Sequence, residues 1–242
     1  MTIADTGDLG PIDSRTWPTE LDAHAVSPGP ERRLFGYDVE RDVAAFYRFS
    51  DLVFLSLVGE LPDDVRSRAF EIALCFAAPV SIANASVHAP ALARLCGARP
   101  SGVLAAASLT LGEEASAVLE ATNQRLAARE HSPGEGPLPA ELRASDDADR
   151  SSVANLSRLL VDLLDVPVLR EDPSRDAALV ALLRRCGFTD AFQLSTVLAY
   201  ARLPSALAEA SRVTPGEFGK YPLDTPHFEY VPPLGSDAEP SQ

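Results

Sequence analysis

Apolar positions along this chain fall in compact runs at helical spacing, and the alternation that marks strands is nearly absent. The densest run sits in the stretch from Gly36 to Pro62, where Leu52, Val53, Phe54, Leu55, Leu57 and Val58 crowd together too closely for a helix with one dry stripe. Ser50 stands at an N-cap position, Gly59 can turn left-handed past the end, and Pro62 bars continuation. The pattern predicts a short helix buried nearly all round. Val65, Ala69, Ile72, Ala73 and Phe76 then keep helical spacing up to Pro79. Ile82 to Cys96 reads as a further helix with Pro90 early in it, and Gly97 and Pro100 close it. Ser101 is placed to cap a small-residue helix from Gly102 to Leu111, and a more polar helix follows from Glu113 to Glu130.

Beyond that point the apolar density drops. Residues 131–149, rich in Pro and Gly and then in charge, are expected to form a mobile connection that buries little apolar surface. Val153, Leu156, Leu160 and Leu163 mark another helix, and Ala177 to Cys186 a compact apolar one ending at Gly187. Thr189 is placed to cap a last long helix carrying Phe192, Leu194, Val197, Leu198 and Leu207, with a kink at Pro204. Residues 1–33 read as a surface arm anchored by Trp17, and the tail from Thr214 is Pro-rich. No repeat of 20–50 residues shows itself. The chain is all-α.

Composition narrows the function classes. The 242 residues suffice for one large domain or a domain with a smaller lobe. A net charge of −14 argues against nucleic acid or an anionic membrane as the main partner. Cys75, Cys96 and Cys186 have neither metal spacing nor an even count, which fits reduced thiols and a cytoplasmic location. The acidic, polar N-terminus has no secretory pattern, and no run approaches the ~18 apolar residues of a membrane span. His24, His131 and His227 stand in expected loops and form no metal constellation.

Several fragments, taken in order, resemble the citrate synthase superfamily and its compact citryl-CoA lyase-like branch. They are Gly36-Tyr37-Asp38-Val39-Glu40, the apolar helix ending in Gly59-Glu60-Leu61-Pro62, residues 84–112, residues 166–175, residues 201–210 and residues 228–233. The resemblance implies a reduced citrate synthase-like helical fold. Its large body would be residues 16–112 and 189–233, its truncated small lobe 113–188, with an arm at 1–15 and a tail at 234–242. It also implies chemistry beside a coenzyme A thioester. In that family an aspartate takes the proton alpha to the thioester, one histidine stabilises the enol oxygen, another polarises the ketone, and arginines hold substrate carboxylates.

Much of that set is replaced. Ser81 stands for the enol-stabilising histidine, Val166 for the ketone-polarising one, Gly112-Glu113-Glu114-Ala115 for a His-Gly-Gly-Ala loop, and Glu209 for a histidine beside Ala208. Asp172-Pro173-Ser174 replaces Asp-Pro-Arg and displaces Arg175 by one residue, while the helix from Ala177 to Cys186 brings no carboxylate. No catalytic residue and no metal ligand is therefore assigned, and no resident cofactor, a coenzyme A thioester being the ligand implied. Asn84, Arg175 and Arg202 remain as substrate-binding candidates. Two of them have a plainer reading, Asn84 as a helix-turn residue and Arg202 as partner of a carboxylate such as Glu209, and His88 reads as an ordinary histidine. Glu113 and Glu114 would suit the positive end of a helix without any function. The expectation is a non-catalytic structural or regulatory partner of an acyl-CoA enzyme, working as a homodimer or as a heteromer with a catalytic relative. The alternative is an active acyl-CoA carbon–carbon lyase or synthase with a relocated set. Uncharged Gly102 to Leu111 suits close packing at such an interface.

Overall fold

The computed structural model describes residues 23–27, 29–131, 138–164 and 172–216. Residues 1–22 of the expected N-terminal arm with the Trp17 anchor, Val166 and the closing 228–233 fragment lie outside them. The described residues form a two-residue hairpin and eight α-helices. The hairpin pairs β1 (Arg33–Leu34) with β2 (Tyr37–Asp38), antiparallel. A π-helical turn, Val39–Val43, leads into α1 (Ala44–Phe46), and then come α2 (Phe49–Val58) and α3 (Asp64–Ala77). After α4 (Ala85–Leu95) the chain enters α5 (Pro100–His131), α6 (Asp147–Leu164), α7 (Arg175–Cys186) and α8 (Ala191–Arg212).

The chain divides into two compact units. The first comprises residues 1–79 and 111–204, and its core draws on α2, α3, α5, α6, α7 and α8. At its centre Phe54, Phe70 and Phe188 form a closed aromatic triangle with centroid separations of 5.5, 5.0 and 5.0 Å. Such ring contacts add to the area they bury, and Arg66 sets its guanidinium 5.8 Å from the Phe54 centroid. From Ala177 to Leu183 every residue of α7 is buried, so this helix is enclosed by its neighbours. The expected lobe 113–188 thus contributes Ala115, Leu119, Leu126, Leu156, Leu160 and α7 to the same cluster as Phe54 and Leu194. The second unit, residues 80–110 and 205–242, buries Val87, Val103, Ala107, Ala206 and Ala210. Within it Arg94 Nε donates to the Val213 carbonyl at 2.9 Å, and the Gly216 N–H reaches the Leu95 carbonyl at 3.0 Å.

Local chemistry explains where the elements begin and end, and in five places the structure departs from the sequence reading. The start of α2 is Phe49, and its cap is made by Asp51, whose carboxylate accepts the Arg48 backbone N–H at 2.8 Å. Ser50 has no part in it; its hydroxyl oxygen is buried without a partner. Asp51 is itself buried and takes a second bond from the Ser67 hydroxyl at 2.6 Å, which ties α2 to α3. At the far end Gly59 adopts φ 87°, with Phe35 of the hairpin turn 3.5 Å from where a Cβ would stand. Pro100, not Ser101, opens α5: its missing N–H falls where the helix has no acceptor, and the Arg99 carbonyl receives the Gly102 and Val103 amides.

The two helices expected on either side of Gly112 are one, because Gly112 keeps a helical backbone and costs only propensity. Glu113 and Glu114 therefore sit in mid-helix, not at a helix start. Asp190 caps α8 in place of Thr189, accepting the Phe192 amide at 2.8 Å. Residues 138–149 also differ from a connection that buries little: Leu138 and Leu142 are buried in the core, and Ser174 N–H anchors to the Leu142 carbonyl at 2.7 Å. Pro100 to Leu126 passes a length-and-composition test for a membrane span, with mean hydropathy 1.2. Of that window 28% is buried, with Leu111, Ala115, Leu119 and Leu126 among the buried residues of the helix.

Candidate functional site

The structure brings two charged groups together in the first unit. Arg202, on α8, is only 7% exposed, which is rare for an arginine without a close partner. Its Nη2 lies 3.5 Å from Asp176 Oδ1, longer than the ~2.7–2.9 Å of a well-formed charge-assisted bond. Its Nε is buried with no partner at all. The Asp176 side chain is 40% exposed, so the pair is closed around the guanidinium and open at the carboxylate.

Asp176 owes its place to three local contacts. Ser174 caps α7 by accepting the Ala177 amide at 3.2 Å, and the Ser174 N–H holds the Leu142 carbonyl. Next to it, Arg175 donates through Nη2 to the Phe76 carbonyl, one of the unsatisfied acceptors in the last turn of α3. The first turn of α7 is thereby pinned to α3 and to the 138–142 segment. An acidic residue there is also favoured by the helix dipole.

The sequence-derived candidates have separate fates. Arg202 does pair with a carboxylate, but with Asp176 and not Glu209, which is exposed. Arg175 is turned to a structural carbonyl. Asp172 accepts from Arg150 Nε at 2.9 Å, and its carbonyl receives the Ala144 amide, a segment-joining role. Asn84, in the second unit, is the residue before α4, and its carbonyl accepts the Val87 and His88 amides, each at 3.1 Å. Ser81 and His88 in that unit are exposed. Sequence reasoning missed Asp176, because the apolar run was read as starting at Ala177. The available signal was Ser174 as cap with an acid two residues on, the ordinary opening of a helix.

Burial pushes the Cys186 thiol up to about 12, so it is not a nucleophile at neutral pH. No group of three His, Cys, Asp or Glu side chains among the described residues is placed to hold a metal. A shallow groove of about 430 Å³ lies between α5 and α8, lined by Leu119, Asn123, Phe192 and Ser195 among others, and Arg202 does not line it.

An enclosed apolar helix, a long helix without a break at Gly112 and a Gly59-capped α2 belong to an almost wholly helical fold, one similar to that of a solved citryl-CoA lyase. The solved structure of citryl-CoA lyase from Hydrogenobacter thermophilus matches at TM-score 0.61 and 20% identity, over 90% of this chain and 95% of that one. No family model and no curated protein matches the chain.

Proposed function

We propose that this chain is a citrate synthase-like protein without citrate synthase or citryl-CoA lyase turnover, serving as a structural or regulatory partner of an acyl-CoA enzyme in the cytoplasm. The observation that supports this reading is the self-occupation of its polar candidates. Arg202 faces the chain's own Asp176, and Arg175 is spent on a carbonyl of α3. The residues standing where the resemblance calls for histidines, Ser81, Val166 and Glu209, cannot act as imidazoles. A carboxylate base without a group to stabilise the enol oxygen lacks a contribution of typically several kcal/mol to the barrier.

One observation favours a second reading. Asp176 is a half-exposed carboxylate beside a buried arginine, the pair of groups that alpha-proton abstraction and carboxylate binding would need. On that reading the chain is an acyl-CoA carbon–carbon lyase or synthase with an altered set and a coenzyme A thioester as substrate. Partnership itself is supported by the face of α5 within the second unit, where Leu104 is 46% and Leu109 69% exposed among Gly102, Ala105 and Ser108. A homodimer or a heteromer with a catalytic relative would cover it.

Two assays decide between the readings. Acetyl-CoA with oxaloacetate is expected to release no thiol above background, and citryl-CoA alone to yield no oxaloacetate, read by NADH oxidation through added malate dehydrogenase. Turnover that disappears in both Arg202→Ala and Asp176→Asn would establish the second reading instead.

A further inference from the structure

At the start of α2 the first unit carries an open aromatic face. Phe46 is 81% and Phe49 67% exposed, with Tyr47 exposed between them. The Phe49 ring lies 6.3 Å from that of half-buried Tyr200 on α8. A lone exposed apolar side chain is ordinary, but rings of this size gathered at one place make a patch of the kind that another surface covers. Positive charge edges it. Arg48 and Arg68 both reach Oε2 of Glu71, at 2.7 and 2.9 Å, so one carboxylate serves two guanidinium groups.

The described chain enters this unit within reach of the patch. The Ala25 carbonyl accepts the Phe35 amide at 2.7 Å, and the Phe35 ring stands over Gly59, at the opposite end of α2. The ten residues of α2 span about 15 Å. Trp17 precedes Ala25 by eight residues, a reach of about 26 Å when extended, which is more than the length of that helix. The sequence before Ala23 also matches the patch in chemistry. Trp17-Pro18 is an apolar pair, and Asp5, Asp8, Asp13, Glu20 and Asp22 stand against Arg15 alone. We propose that the segment before Ala23 docks on this face of its own unit, with Trp17 laid against Phe46, Phe49 and Tyr200 and its acids beside Arg48 and Arg68. A second copy set patch to patch would instead bring the same arginines together, which like charge disfavours. The docked segment closes the face to other molecules, whether or not the chain turns over a thioester.

Trp17 is the single tryptophan of the chain, so its fluorescence reports on this contact alone. In the full wild-type chain its emission should be blue-shifted, and acrylamide should quench it less readily than free N-acetyltryptophanamide. Phe46→Ser together with Phe49→Ser should shift the emission to the red, each lost ring contact lowering the docked-to-free ratio by about two- to tenfold. The reciprocal variant, Trp17→Ser, leaves the body of the unit untouched and carries the test should the double variant fail to fold. It should raise the binding of a hydrophobic dye, 8-anilinonaphthalene-1-sulfonate, and the rise should vanish when Phe46→Ser and Phe49→Ser are added. Wild-type Trp17 as accessible as the free amide overturns the proposal, as does shielding that survives loss of both phenylalanines in a folded chain. Dye binding unchanged by Trp17→Ser overturns it too. Shielding lost on dilution, in step with dissociation seen by analytical ultracentrifugation, would put a second copy on the face in place of the segment.

Discussion

Individual residues in this chain carry more than the roles their types suggest. Arg175 is the example: placed by resemblance near a substrate carboxylate, it instead donates to the Phe76 carbonyl and joins α7 to the end of α3. Arg175→Ala should cost about 1–3 kcal/mol, the range for losing a charged donor to a partly buried acceptor, read from urea unfolding midpoints. Cys186 gives a pH signature. Burial raises its folded value from 9.0 to about 12, so above pH 9 the unfolded chain gives up a proton that the folded chain keeps. Stability from this group is fully present below pH 9 and lost as pH climbs towards 12, with a slope on the order of 1.4 kcal/mol per pH unit. Cys186→Ala should flatten that slope relative to wild type, other alkaline groups being common to both. Among the three thiols, Cys75 and Cys96 are exposed and should react with a thiol reagent in the native state, Cys186 only after unfolding. Of the site, Arg202 was legible because it lies in a fragment with a family pattern, whereas Asp176 was not, because its meaning depends on α7 and α8 meeting across 26 residues of sequence.

At the scale of elements, helices with strong periodicity were read closely and their ends less so. The boundaries of α3 and α7 follow the apolar pattern because Asp63 and Ser174 are caps that also precede it directly. The ends of α2, α5 and α8 moved by a residue or two, since Asp51, Pro100 and Asp190 outcompeted the neighbouring serines and threonine as terminators. The larger difference is Gly112. A glycine followed by two glutamates reads as a break and a new start, yet tertiary burial of Leu111, Ala115 and Leu119 holds one helix through it. Two glycines therefore respond oppositely to alanine. At Gly112 the backbone is helical and an added Cβ meets nothing within 4 Å, so Gly112→Ala should stabilise by roughly 0.5–1 kcal/mol. At Gly59 φ is 87° and the Phe35 ring stands at 3.5 Å, so Gly59→Ala should destabilise by ~1 kcal/mol or more. Thermal melts of the pair check both signs at once.

For the whole molecule, the family resemblance supplied a body at 16–112 with 189–233 and a lobe at 113–188, a division no residue pattern forced. Compactness in the structure joins 1–79 to 111–204 and 80–110 to 205–242, and the core of the first unit reaches from α2 to α8. The physical reason lies in α7. Its run of buried residues from Ala177 to Leu183 requires apolar neighbours on all sides, and the cluster around it includes Phe54 and Phe70 from α2 and α3 as well as Leu156 and Leu160 from α6. Leu142, in a stretch whose composition looks like a linker, is 2% exposed within the same cluster. Such a shared core predicts shared unfolding. Phe54→Ala, expected to cost ~3–5 kcal/mol, and Leu142→Ala, expected to cost ~2–5 kcal/mol, should shift one and the same cooperative transition, whether followed by far-ultraviolet dichroism or by the reactivity of Cys186. Two separable transitions, with Leu142→Ala moving one and Phe54→Ala the other, would mean instead that residues 113–188 fold as a lobe of their own.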